Sequence, residues 1–193
     1  MKERLKKLFA NVWNVPNVLT IIRLALVPVF VAVFNAGHTR WALAVFCIAS
    51  LTDALDGTIA RKTNQITDFG KLFDPLADKL MVLTALFCQA RAGVFPRAAI
   101  IIVLIKELYM VAGSVFMLGK NVVVSANYFG KTATVCFISS LILSFFHREL
   151  SDWGYPVHLW LLWISVALAI LAMTVYTVQA LRQIRKLKEE THT

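Results

Sequence analysis

A chain of 193 residues holds one domain or at most two small ones. Hydrophobic residues make up 59% of it and charged residues 16%, against roughly 45–50% and 25% in ordinary globular proteins. With a mean hydropathy of +0.69, the composition excludes a typical water-soluble domain and makes lipid the expected solvent. The net charge of +9 does not point to nucleic acid. The basic residues gather at the two ends and in short connectors between apolar runs, where they meet anionic headgroups and set topology.

In chain order, residues 1–13 set Lys2, Arg4, Lys6 and Lys7 against Leu5, Leu8, Phe9 and Val12. That spacing predicts a short amphipathic helix on the membrane surface. A membrane crossing needs about 20 apolar residues. Six stretches approach that length, at 18–35, 41–60, 69–90, 94–118, 126–146 and 157–181. Turn formers separate them, as in Asn35-Ala36-Gly37 and Asp152-Trp153-Gly154-Tyr155-Pro156. No cleavable signal peptide is expected, because the first apolar run is too extended for one. The predicted fold is an all-α integral membrane protein, a six-transmembrane-helix bundle with an N-terminal amphipathic surface helix, forming a single membrane domain over 1–193.

Six crossings place both termini on one side. Thirteen of the twenty Lys and Arg then fall on that side and four on the other, with Arg23, Lys79 and Lys106 inside spans. This asymmetry makes the termini cytoplasmic in a multi-pass protein of the cell membrane. Cys47, Cys88 and Cys136 lie within apolar stretches and read as small core residues. His38, His147, His158 and His192 show no metal-ligand spacing.

Charged groups inside spans are costly and mark function. The second span ends Thr52-Asp53-Ala54-Leu55-Asp56-Gly57-Thr58-Ile59-Ala60-Arg61, and the third begins Asp68-Phe69-Gly70-Lys71-Leu72-Phe73-Asp74-Pro75-Leu76-Ala77-Asp78-Lys79. Asp53 and Asp56 are three apart, Asp74 and Asp78 four apart, so each pair shares one helix face. The two helices are antiparallel about a short connector. At about 1.5 Å per residue, Asp56 and Asp74 reach similar depth, with Asp53 and Asp78 one turn deeper. Four carboxylates in low dielectric must protonate, pair with cations or bind metal. Arg61, Lys71 and Lys79 are too few to balance four acids at one spot. Hard oxygen donors with no His or Cys favour Mg²⁺, Mn²⁺ or Ca²⁺ over Zn²⁺, and a pair of such ions suits phosphoryl transfer. Gly57, Ala60 and Gly70 let a bulky ligand, or a neighbouring helix, come close to the backbone.

Written out, the segment is D-x-x-D-G-x-x-A-R, eight residues, then G-x-x-x-D-x-x-x-D, with Asp53, Asp56, Gly57, Ala60, Arg61, Gly70, Asp74 and Asp78 in the fixed positions. It resembles the signature of the CDP-alcohol phosphatidyltransferases. The resemblance implies two divalent cations, Mg²⁺ or Mn²⁺, held by Asp53, Asp56, Asp74 and Asp78. It further implies a CDP-lipid resting against Asp56, Gly57, Ala60, Arg61 and Gly70, Asp78 as catalytic base, an active site facing the cytoplasm, and a homodimer.

The opening Asn14-Val15-Pro16-Asn17-Val18-Leu19-Thr20-Ile21-Ile22-Arg23 is similar to that of phosphatidylglycerophosphate synthases, which join CDP-diacylglycerol to sn-glycerol 3-phosphate. Cardiolipin synthases, whose acceptor is phosphatidylglycerol, share much of it. A phosphorylated acceptor calls for further cations, for which Lys131, Lys106 and Arg23 are the candidates. Ile105-Lys106-Glu107 stands where the former enzymes typically carry Ala-Arg-Glu, and Gly130-Lys131-Thr132-Ala133-Thr134 where they carry Gly-Lys-x-Lys-Thr. The missing guanidinium and ammonium leave phosphatidylglycerol as the alternative acceptor. Lys106 can instead pair with Glu107 inside the bundle, and Lys131 can mark the membrane interface. A remoter alternative, an ion transporter lined by the Asp cluster, needs a polar path through the opposite halves of both helices, and those halves are apolar.

Overall fold

The computed structural model describes residues 14–63, 68–118, 128–152 and 154–191, with backbone alone for 15–16, 53–63, 68–72, 75, 114–115, 118, 151 and 186–191. The described residues form seven helices and no strand: α1 (Val15–Asn35), α2 (Thr39–Thr63), α3 (Asp68–Arg91), α4 (Arg97–Leu118), α5 (Tyr128–Ser144), α6 (His147–Asp152) and α7 (Val157–Thr191). The helix expected over 1–13 lies outside the described residues. The chain divides into two compact units, Met1–Gln89 and Ala90–Thr193.

In the first unit, α1 begins where Asn14 caps it: the Asn14 side chain accepts from the Asn17 N–H at 3.1 Å, satisfying one of the donors a helix start leaves open. Pro16, in the first turn, has no N–H to leave unbonded. Pro28 lies inside the helix and withdraws one bond from the Leu24 carbonyl. The helix ends at Asn35, and two residues on Gly37 takes a φ of 80°, left-handed and suited to a residue without Cβ. The next helix starts two residues later, so α1 and α2 form a tight antiparallel hairpin. Its core is Phe30 against Phe46, ring centroids 6.5 Å apart, with Ala42 and Ala49 filling the space between the helices.

Three polar residues of α1, Asn17, Thr20 and Arg23, are each no more than 1% exposed. Their spacing of three sets them along one side of an otherwise apolar helix. The Arg23 Nε donates to the Ala49 carbonyl of α2 at 3.3 Å.

In the second unit α5 packs along α7. Ala133, Ser140, Leu141 and Ser144 of the one and Leu162, Ser165, Val166 and Ala172 of the other are buried. The buried Ser140 hydroxyl donates to the His158 carbonyl at 2.5 Å. Against the same helix, α4 places the Tyr109 hydroxyl 2.5 Å from that of Thr177, and Gly113 lets Tyr176 approach. Met117, Ala180 and Ile184 continue the contact.

The fifth helix stops at Ser144, two residues short of the stretch read from hydropathy. Phe145 and Phe146 bond to carbonyls three residues back, which tightens the last turn, and His147 opens the separate six-residue α6. The last helix runs ten residues beyond the apolar stretch, because Gln, Leu, Arg, Lys and Glu sustain a helix without apolar burial.

Large apolar side chains face outward in both units, among them Trp41, Ile48 and Leu51 of α2 and Leu108 and Phe116 of α4. Water would penalise so much exposed apolar surface, whereas acyl chains match it. Among the described residues two helices, over Asn17–Asn35 and Val157–Arg185, are long and apolar enough to cross a membrane. The motif charges of α2 and α3 interrupt the apolar windows of those two helices.

Candidate functional site

Helix α2 continues through Thr63, and α3 starts at Asp68. Asp53 and Asp56 thus stand on the closing turns of one helix, Asp74 and Asp78 on the opening turns of the next. The spacings of three and four put each pair on one face. The side chains of Asp53 and Asp56, and those of Gly57, Ala60, Arg61 and Gly70, lie outside the described residues.

Asp74 is half-buried, and its Oδ1 accepts a hydrogen bond from the Thr20 hydroxyl of α1. Asp78 is exposed. Ala77, between them, is fully buried, so α3 turns its small residue inward and leaves the second carboxylate at the surface. Among the described residues no three His, Cys, Asp or Glu side chains converge. The two described carboxylates nonetheless supply hard oxygen donors on one face, the chemistry that Mg²⁺ and Mn²⁺ take.

The candidate acceptor-binding cations occupy three different settings. Arg23 is buried in the first unit and bonds to the carbonyl of Ala49, a residue one turn before Asp53 on α2. Thr20 and Arg23 are themselves one turn apart, so α1 touches both motif helices through a single side. In the second unit Lys106 forms an ion pair with Glu107, Nζ to Oε1 2.5 Å. Lys131 is exposed on the first turn of α5, where an ammonium is free to meet a headgroup or a soluble anion.

Thr20 is the residue that motif reading passed over. The available signal was the three-residue rhythm of Asn17, Thr20 and Arg23 in a run of Val, Leu and Ile. Polar groups so placed on an apolar helix must find hydrogen-bond partners, on their own helix or on a neighbour.

A family model described as CDP-alcohol phosphatidyltransferase matches residues 13–171. A Bacillus subtilis protein named CDP-diacylglycerol--glycerol-3-phosphate 3-phosphatidyltransferase is 32% identical over 179 residues, covering 83% of this chain and 91% of the relative. A Mycobacterium tuberculosis protein provisionally named phosphatidylglycerophosphate synthase is 30% identical over 189 residues, covering 93% of this chain and 88% of its own. A Mycobacterium bovis protein provisionally named a cardiolipin synthase is 30% identical over 202 residues, covering 94% and 91%.

Proposed function

Because this chain belongs to the CDP-alcohol phosphatidyltransferase family, we propose that it moves the phosphatidyl group of CDP-diacylglycerol to sn-glycerol 3-phosphate and releases CMP. The observation that carries this reading is the complete eight-position motif, standing on the closing turns of α2 and the opening turns of α3. The acceptor is the one named in the Bacillus subtilis relative, which the chain matches over most of both lengths.

Asp53, Asp56 and Asp74 would hold two divalent cations, Mg²⁺ or Mn²⁺, with Asp78 contributing to the second. When bound, such ions neutralise the diphosphate oxygens on which charge develops. Gly57, Ala60 and Gly70 leave room for the nucleotide, and Arg61 offers its guanidinium to a phosphate. The Asp78 carboxylate takes the proton of the acceptor hydroxyl, whose oxygen bonds to the lipid-side phosphorus. The bond from that phosphorus to the bridging diphosphate oxygen breaks, and CMP departs with the electron pair. Asp78 suits this part because it is exposed on the motif face of α3, within reach of a water-soluble acceptor.

The six apolar stretches, the basic bias of the connectors and the outward apolar side chains support a multi-pass membrane protein with both termini and the site on the cytoplasmic side. Acyl chains of the donor then remain in lipid while its nucleotide meets water. A homodimer is part of the same reading, resting on the family resemblance. Transport of ions through the Asp cluster is set aside, since the family is one of transferases.

One observation favours a second acceptor. The Lys106 ammonium is engaged by Glu107, which occupies one of the cations a free phosphomonoester would call upon. Phosphatidylglycerol, presenting a hydroxyl with no phosphomonoester, is the alternative.

CMP release from the purified protein in detergent decides between them, with CDP-diacylglycerol, Mg²⁺ or Mn²⁺ and one acceptor at a time. Release with glycerol 3-phosphate that stops on adding EDTA is the expected result. Release with phosphatidylglycerol alone would reassign the acceptor, and release undiminished by EDTA would remove the metals. In the same assay Lys131→Ala should lower kcat/KM for glycerol 3-phosphate about tenfold, the weight of a hydrogen bond to a charged group. The rate with uncharged glycerol as acceptor should be little changed. Equal losses on both would leave Lys131 as an interface anchor.

A further inference from the structure

Helical Ser and Thr in this chain commonly return their hydroxyls to their own helix. Ser50 donates to the Phe46 carbonyl, Thr52 to Ala49, Thr132 to Tyr128, Thr134 to Gly130 and Thr177 to Met173. This local bond is the cheapest way to satisfy a hydroxyl in an apolar setting. Thr20 reaches a carboxylate on another helix. It is 0% exposed, and its hydroxyl crosses to the carboxylate of Asp74, 54 positions away in sequence and on another helix.

An ionised carboxylate only accepts hydrogen bonds, so the proton in this contact comes from Thr20. The torsion that turns an Asp carboxylate is broad and nearly two-fold. A fixed donor on Oδ1 narrows it, and leaves Oδ2 and the second lone pair of Oδ1 for a cation. The donor is itself held in place, because α1 is locked to α2 through the Phe30–Phe46 contact and the Arg23 bond to the Ala49 carbonyl.

We infer that Thr20 is a positioning residue for the metal site: its buried hydroxyl fixes the Asp74 carboxylate in the orientation that receives a divalent cation. The inference rests on the metal reading proposed above and adds α1 to the motif helices as a working part of the site. Outer partners of this kind are worth roughly 10–100-fold in metal affinity or activity.

The test is Mn²⁺ binding to the full chain in detergent, followed by the loss of the free-ion electron paramagnetic resonance signal, with no substrate present. Thr20→Val keeps the shape and removes the donor, whereas Thr20→Ser restores it. We expect the Mn²⁺ dissociation constant to rise about tenfold or more in Thr20→Val and to return within about threefold of the unsubstituted value in Thr20→Ser. The midpoint of thermal unfolding without metal is measured alongside. An unchanged Mn²⁺ constant in Thr20→Val would overturn the positioning role while leaving the metal site standing. A weakened constant that Thr20→Ser fails to restore, with both variants losing unfolding temperature equally, would make the contact a helix clamp and also overturn it. Absence of Mn²⁺ binding by the unsubstituted protein would remove the metal site, and the role of Thr20 with it.

Discussion

Asp78→Asn should lower turnover by about 10²–10⁴-fold, the usual worth of a positioned general base, while CDP-diacylglycerol binding stays near that of the unsubstituted protein. The amide is nearly isosteric with the carboxylate and keeps one oxygen for a cation. It cannot accept the proton of an attacking hydroxyl at neutral pH. Its position allows the two roles to be separated: Asp78 is exposed, whereas Asp74, four residues earlier, is half-buried and held by Thr20. CMP release gives the rate, and titration calorimetry with CDP-diacylglycerol gives the binding. Unimpaired turnover in this variant would take Asp78 out of the mechanism. Loss of binding and turnover together would make it chiefly a ligand.

The helices were legible because two simple signals agree along the chain. Apolar run length marks the six longer described helices, and Asn35-Ala36-Gly37 or Gly154-Tyr155-Pro156 marks where the backbone must turn. The left-handed φ values of Gly37 and Gly154 are the physical form of that second signal. What hydropathy missed are features governed by hydrogen bonds. The break after Ser144 comes from a tightened turn in which Phe145 and Phe146 bond to carbonyls three residues back, inside the stretch that hydropathy carries to 146. The continuation of α7 to Thr191 comes from helix propensity in a polar tail.

The placement of the motif acids on two helices was legible for the same reason. Spacings of three and four are geometric once a helix is granted, and both helices run through their motif residues. The partners of those acids were not legible in this way. Nothing in the periodicity of α1 says that Thr20 meets Asp74 rather than another polar group, because lateral pairing of helices is decided by packing. Lys106 illustrates the converse. It is adjacent to Glu107, so an ion pair was open from sequence, and the structure makes it. Proximity in sequence could not say whether that lysine is spent on the pair or kept for an acceptor.

Asp56→Ala should remove both binding and rate, and the comparison with Asp78→Asn separates the metal ligands from the base. In the proposed mechanism Asp56 contacts a cation and also stands beside Gly57, where the donor nucleotide would rest. Alanine at this position leaves the helix intact, since it is the best helix former, so the loss is chemical and not architectural. With one ligand fewer the cations bind more weakly, and the diphosphate charge they would neutralise is left uncompensated in a low-dielectric site. CDP-diacylglycerol affinity should fall by at least about tenfold and turnover by about a hundredfold or more, on the scale of a lost electrostatic contact to developing charge. Raising Mn²⁺ should recover part of the affinity, because a weakened site still fills by mass action. An Asp56→Ala protein that binds the CDP-lipid normally but does not turn over would place Asp56 with the chemistry of the acceptor. The pair of metal ligands on α2 would then shrink to Asp53 alone.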